Sequence, residues 1–249
     1  MGDIMESSVK TLNYLMDRYK LTKEEKIEFL NLIKDIFYHD EFQRRMTEEY
    51  KHHDKLILGY HLLEDTVVTY LLSKRHIKDN NFDLNIALNI SMLHDLYTSP
   101  WQNNQKSHNF WNQHAFRHPI ESVINSSIWY PKLFESKTDS EKIIDGIVHH
   151  MYPIPVLCFN NDKENSLELK NFKKIPLVNK RNLDLLQNSS NIGIMGNLSL
   201  KKSSFKEGRV VALVDKYVSL NNFDLNSLSA LITGYNKNLD DNIKIKKYK

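Results

Sequence analysis

Cysteine is almost missing from this chain. Cys158 stands alone among 249 residues, which excludes a disulfide framework within the chain and suits a reducing compartment. Glycine and proline are scarce too, at seven and six residues, so long helices are expected over a turn-rich β architecture. No apolar run approaches the ~18 residues that span a bilayer. The opening Met1-Gly2-Asp3-Ile4-Met5-Glu6 has no basic stretch leading into an apolar core, as a secretory signal would. A cytoplasmic protein without a membrane partner is the expectation. There is no glycine-rich phosphate loop, which argues against ATP-driven chemistry of the P-loop type. The net charge of +3 is small, and basic residues concentrate only at Lys237 and in Lys244-Ile245-Lys246-Lys247-Tyr248-Lys249. That tail leaves nucleic acid open as a partner, beside the plainer reading of a solvated end.

What the chain does have is helical periodicity. With 41% hydrophobic residues it can bury a sizeable core. Val9, Leu12, Leu15 and Met16 outline a first helix. Thr22-Lys23-Glu24-Glu25 is a capping box, a Thr and a Glu spaced to satisfy each other's free backbone donors, ahead of the apolar series Ile27, Phe29, Leu30, Ile33 and Phe37. Leu56, Tyr60, Leu63, Val67 and Leu71 mark an amphipathic helix with His61 beside its apolar stripe. Residues 83–97 read as one more helix, and His118-Pro119 reads as the start of another, because proline is favourable at a first helical position. Ile143, Ile144 and Ile147 place His150 on an inward face. Val211, Asp215 and Val218 share a face of the last strongly patterned helix, and Leu225, Leu228 and Leu231 suggest one more after it. Two stretches break the pattern. The polar, aromatic-rich run from Tyr97 to Arg117 is long enough to suggest a lid. The Asn-, Lys- and Ser-rich segment 155–206 reads as an insertion holding a hairpin and a short helix.

Set into these helices is a series of imidazoles and carboxylates. Composition alone gives somewhat less than one His-Asp pair, and the chain has three: His39-Asp40, His53-Asp54 and His94-Asp95. The first two sit in polar surroundings. Only His94-Asp95 closes an apolar run, with Ile86, Ile90 and Leu93 at helical spacing. A charge buried there must be paired or coordinate a metal. His61, His118, His149, His150 and Asp215 lie in other amphipathic segments, and such side chains are ligands that divalent transition metals take. Glu64 and Asp65, one turn after His61, are placed to orient its ring or to act as a base, although a solvated polar face explains them more simply. His39, His52, His53, His76 and His108 read as surface or loop residues.

The motifs Leu93-His94-Asp95-Leu96-Tyr97, His114-Ala115-Phe116-Arg117-His118-Pro119, His150-Met151-Tyr152-Pro153 and Leu213-Val214-Asp215-Lys216-Tyr217, in this order after His61, resemble the HD superfamily of metal-dependent phosphohydrolases and a narrower group of bacterial HD-domain hydrolases within it. The resemblance spans roughly residues 50–220. It implies an all-α HD-domain helical bundle over 51–220, interrupted by the 155–206 insertion before the last metal-ligand helix. N-terminal helices (1–50) would pack on this core, and a C-terminal helix and basic tail (221–249) would follow it. It further implies that His61, His94, Asp95 and Asp215 bind one divalent ion and that His118 and His150 add a second, with Asp95 shared. His149 is the alternative to His150. Ligands without thiolate suit Mn²⁺ or Fe²⁺. The implied activity is hydrolysis of a phosphomonoester or phosphodiester, a nucleotide substrate foremost, by attack of a metal-activated water at a centre that includes Asp95. Arg117 and Lys216, cations beside the proposed ligands, read as further catalytic residues that hold phosphate oxygens or else as ordinary surface cations, and His114 as a substrate contact or a loop residue. A sensor that keeps the metal site only to hold a nucleotide, and a nuclease aided by the Lys-rich tail, remain the alternatives. The chain departs from the group at Ser99-Pro100-Trp101-Gln102, where an acidic residue and a Trp-His pair are usual.

Overall fold

Thr22 opens the second helix of the chain as its sequence dictates. Its hydroxyl accepts from the Glu25 backbone N–H, and the Glu25 carboxylate accepts from the Thr22 N–H in return. The computed structural model describes residues 2–52, 56–97, 114–154, 156–157, 198–199 and 202–220, and these are mostly helical. The helices are α1 (Gly2–Arg18), α2 (Lys23–Phe37), α3 (Asp40–Arg45), α4 (Leu58–His76), α5 (Leu84–Leu93), α6 (His114–Trp129), α7 (Lys137–His149) and α8 (Lys206–Leu220). Two short antiparallel pairs accompany them: β1 (Lys51–His52) with β2 (Leu56–Ile57), and β3 (Val156–Leu157) with β4 (Leu198–Ser199). The second pair joins the two ends of the predicted insertion. The body of that insertion, the expected lid at 98–113, His53-Asp54, Cys158 and everything from 221 onward lie outside the described residues. No described helix is long and apolar enough to cross a membrane.

The chain divides into two compact units, Met1–Met92 with Leu213–Lys249, and Leu93–Ala212. In the first, α4 packs against α1 and α3. Leu12, Leu15, Met16, Phe29, Ile33, Phe37 and Phe42 form its core with the apolar residues of α4. Gly59 lets α4 begin hard against α3, since a Cβ there would stand 2.9 Å from the Arg45 carbonyl. Polar ties reinforce the packing. Tyr70 donates to Glu28 at 2.9 Å, and Arg75 Nε to Glu25 at 2.9 Å.

The sequence predicts α4 as amphipathic, and the structure corrects this. Almost every residue from Leu58 to Ser73 is buried. Buried Thr66 finds its partners inside: it donates to the Leu62 carbonyl at 2.6 Å and lies 3.3 Å from the Ser91 hydroxyl of α5. Two boundaries also differ. α5 stops at Leu93, leaving His94 and Asp95 in the turn that follows, closed by a 3.2 Å bond from the Leu96 N–H to the Leu93 carbonyl. α6 begins at His114, with Pro119 inside it and not at its start. Pro119 lies past the first turn, so the helix goes without the bond that an N–H at this position would make to the Ala115 carbonyl.

In the second unit α6 packs against α7. Ser136 caps α7 by accepting from the Asp139 N–H. The buried Asp145 carboxylate accepts from the Ser203 hydroxyl and from the Ser204 N–H at 2.9 Å, holding the segment that leads into α8 against α7. Gly208 makes that contact close, because a Cβ would come within 2.7 Å of the Gly146 Cα.

Candidate metal centre

In the second unit the turn after α5, the first half of α6 and the end of α7 bring four of the predicted ligands together. His94, Asp95, His118 and His150 are all buried. Asp95 Oδ1 lies 3.0 Å from His118 Nε2 and 3.4 Å from His150 Nε2, and Asp95 Oδ2 lies 4.0 Å from His94 Nε2. The His118 and His150 Nε2 atoms are 3.0 Å apart. The His94 and His118 rings each meet the His150 ring edge-on, with centroids 4.8 and 4.9 Å away. The turn is held in place from α6: Asn125 donates its side-chain amide to the Leu96 carbonyl at 2.8 Å.

The electrostatics of this cluster centre on Asp95. Burial alone would push its carboxyl up, but the His118 and His94 imidazoles, with hydrogen bonds from His118 and His150, outweigh that and hold it well below the usual carboxylate range. His150 has its tautomer set from behind. Its Nδ1 is 2.7 Å from the Ile147 carbonyl, which can only accept, so Nδ1 carries a proton and Nε2 is the nitrogen turned to Asp95 and His118. A carbonyl that fixes the ring in this way is a usual partner of a metal-binding histidine. His149 faces elsewhere, its Nδ1 3.0 Å from the Asp145 carbonyl oxygen and 3.2 Å from that residue's carboxylate.

The first unit holds a second constellation. His61 of α4 and Asp215 of α8 are buried, with His61 Nε2 3.4 Å from Asp215 Oδ1. Asp65, one turn along α4 and fully buried, places its Oδ2 3.4 Å from the same nitrogen. His52 of β1 stacks on the His61 ring, with centroids 4.0 Å apart and planes 7° from parallel. His52, read from the sequence as a surface residue, is thus half-buried against a predicted ligand. His76, read the same way, is buried at the end of α4. Lys216 is half-buried on α8. Burial lowers its ammonium pKa, and the neighbouring Asp215 carboxylate raises it in part.

The plainer reading of Glu64 and Asp65 as a solvated face is overturned, since both are buried. They have different partners. Glu64 accepts from Tyr19 at 2.6 Å and from Arg18 at 2.9 Å, and so ties α4 to the end of α1; Asp65 faces His61. Burial, with the Glu64 carboxylate beside it, drives the Tyr19 phenol far above its ordinary range, so it stays a donor. The pair His39-Asp40 serves local structure, because His39 Nδ1 caps α3 by accepting from the Glu41 N–H at 3.2 Å. Arg117 lies within α6, but its side chain, like that of His114, is outside the described residues.

The donors fit a divalent cation. Three imidazoles around one carboxylate in the second unit, and one imidazole beside two carboxylates in the first, are nitrogen and oxygen sets without thiolate. The ligand atoms of His94, Asp95 and His150 lie within 4.8 Å of one another. Comparison of the chain with protein-family models, curated proteins and solved structures found no match.

Proposed function

We propose that this protein is a metal-dependent phosphohydrolase of the HD type, built on an HD-like helical bundle and cleaving a phosphomonoester or phosphodiester, a nucleotide foremost. The observation that carries the proposal is the buried convergence of His118 Nε2 and His150 Nε2 on Asp95 Oδ1, at 3.0 and 3.4 Å, with His94 alongside. Leaving three imidazoles and a carboxylate in a core costs several kcal/mol in desolvation unless they compensate one another or hold a cation. A bound Mn²⁺ or Fe²⁺ would polarise a phosphoryl oxygen and lower the pKa of a bound water.

The chain's own residues supply the rest. Asp95, kept ionised by its imidazole neighbours, is the anionic donor of its cluster. The carbonyl behind His150 keeps that ring in the metal-binding tautomer. Lys216 and Arg117 are the cations assigned to hold phosphate oxygens. His61 and Asp215 are assigned to the same activity on the order of the motifs in the sequence, and two ions are the proposed complement of all six ligands.

Elemental analysis of the purified protein, followed by a nucleotide and phosphodiester screen with added Mn²⁺, tests the proposal. About one to two equivalents of transition metal and chelator-sensitive turnover are expected. A metal-loaded protein that binds a nucleotide tightly and turns nothing over would make it a sensor. A protein that neither takes up metal nor hydrolyses any phosphate ester would overturn the reading.

A further inference from the structure

His61 Nε2 has two carboxylates at the same distance, Asp65 Oδ2 and Asp215 Oδ1, each 3.4 Å away. An imidazole nitrogen carries at most one proton, which cannot serve both. Charge-assisted N–H···O⁻ bonds are also shorter, at about 2.7–2.9 Å. The spacing suits another arrangement. Donors bound to one cation at about 2.1 Å stand about 3.0 Å apart at octahedral corners and about 3.4 Å apart at tetrahedral ones. All three side chains are buried, and their donor atoms lie within 4.8 Å of one another. His61 and Asp65 are i and i+4 on α4, so both project from one helix face, the spacing by which a helix chelates a metal with two side chains. Glu64, the neighbouring acid, is tied instead to Arg18 and Tyr19.

We infer that Asp65 is a metal ligand, completing with His61 and Asp215 a three-donor set within the first unit. This rests on the metal-centre reading above and adds to it a residue that the motif resemblance does not include. Asp65 supplies a second negative charge, which favours a hard divalent ion such as Mn²⁺ over a softer one.

The test compares Mn²⁺ binding, by electron paramagnetic resonance titration, and the Mn²⁺-induced rise in thermal midpoint in four variants of the full chain. Asp65→Asn keeps the side chain's shape. It is expected to bind one of the two Mn²⁺ ions at least about 100-fold more weakly and to lose part of the thermal rise, as His61→Ala and Asp215→Asn do. Glu64→Gln is expected to keep both. Wild-type binding by Asp65→Asn while His61→Ala and Asp215→Asn lose the ion would overturn the assignment of Asp65 and leave the metal centre standing. Wild-type binding by all of them would overturn the centre itself. Should Asp65→Asn not fold, the wild-type protein crystallised with Mn²⁺ decides. An anomalous peak about 2.2 Å from an Asp65 oxygen is expected, and a peak on His61 and Asp215 with Asp65 out of bonding range contradicts the proposal.

Discussion

His118 and His150 present their Nε2 atoms to each other at 3.0 Å, with Asp95 Oδ1 against both. Since the Ile147 carbonyl fixes the His150 proton on Nδ1, the two rings and the carboxylate converge on one small volume. Replacing either histidine by alanine is expected to lower occupancy from two ions to one and to reduce turnover by more than the about 10–100-fold typical of losing a residue behind the ligands. Metal content by mass spectrometry and helical circular dichroism check this together. Two retained ions in both variants would remove the pair from the ligand set.

The His94→Ala, Asp95→Ala double variant should lose the ion of the Asp95 cluster while its helical signal stays largely intact. The matched control is His39→Ala, which removes the α3 cap. That change should cost about 1 kcal/mol of stability and leave metal content unchanged. Equal effects of the two on metal would show that a His-Asp pair in this chain has no special place.

Asn125→Ala probes the turn that carries the pair. It leaves the buried Leu96 carbonyl without its side-chain donor, at an expected cost of about 1–3 kcal/mol, and should weaken metal binding without touching a ligand. Denaturant unfolding with and without Mn²⁺ measures both effects. An unchanged metal affinity at reduced stability would confine Asn125 to a packing role.

How legible these features are depends on how local their causes are. The Thr22–Glu25 capping box involves four consecutive residues, and the structure repeats it. Val211, Asp215 and Val218 follow from helix phase, and all three are buried. α4 misleads because Glu64 and Asp65 look like a solvated face. The burial of Glu64 is offset by Arg18 and Tyr19, and that of Thr66 by Ser91, distant partners that no periodicity can announce. The start of α6 is misplaced by the sequence because proline at a first helical position is a preference, and α6 tolerates Pro119 one turn later. His52 has no pattern at all to mark it, because its stacking on His61 depends on the β1–β2 pairing. The choice between His149 and His150 is open in the sequence, and it is geometry that separates them: His150 faces Asp95 and His149 faces Asp145.

Acid should expose the tie between α2 and α4. The hydrogen bond from Arg75 lowers the Glu25 carboxyl pKa in the folded state, against a partial opposing effect of burial. A depressed folded pKa means stability that is complete above the unfolded glutamate value of about 4.3 and lost as pH falls through the folded one. Glu25→Gln should therefore lower the thermal midpoint at neutral pH and converge with wild type under acid. A gap that stays constant across that range would contradict the assignment.

Turnover by metal-stripped protein tests the central claim most directly. The protein is chelated, dialysed and assayed against nucleotides and phosphodiesters with and without Mn²⁺, beside the His94→Ala, Asp95→Ala variant. Hydrolysis that disappears on chelation, returns with Mn²⁺ and is missing from the variant at every metal concentration is the expected result. Hydrolysis that survives chelation, or that the variant performs as well as wild type, would contradict a metal-dependent phosphohydrolase centred on Asp95.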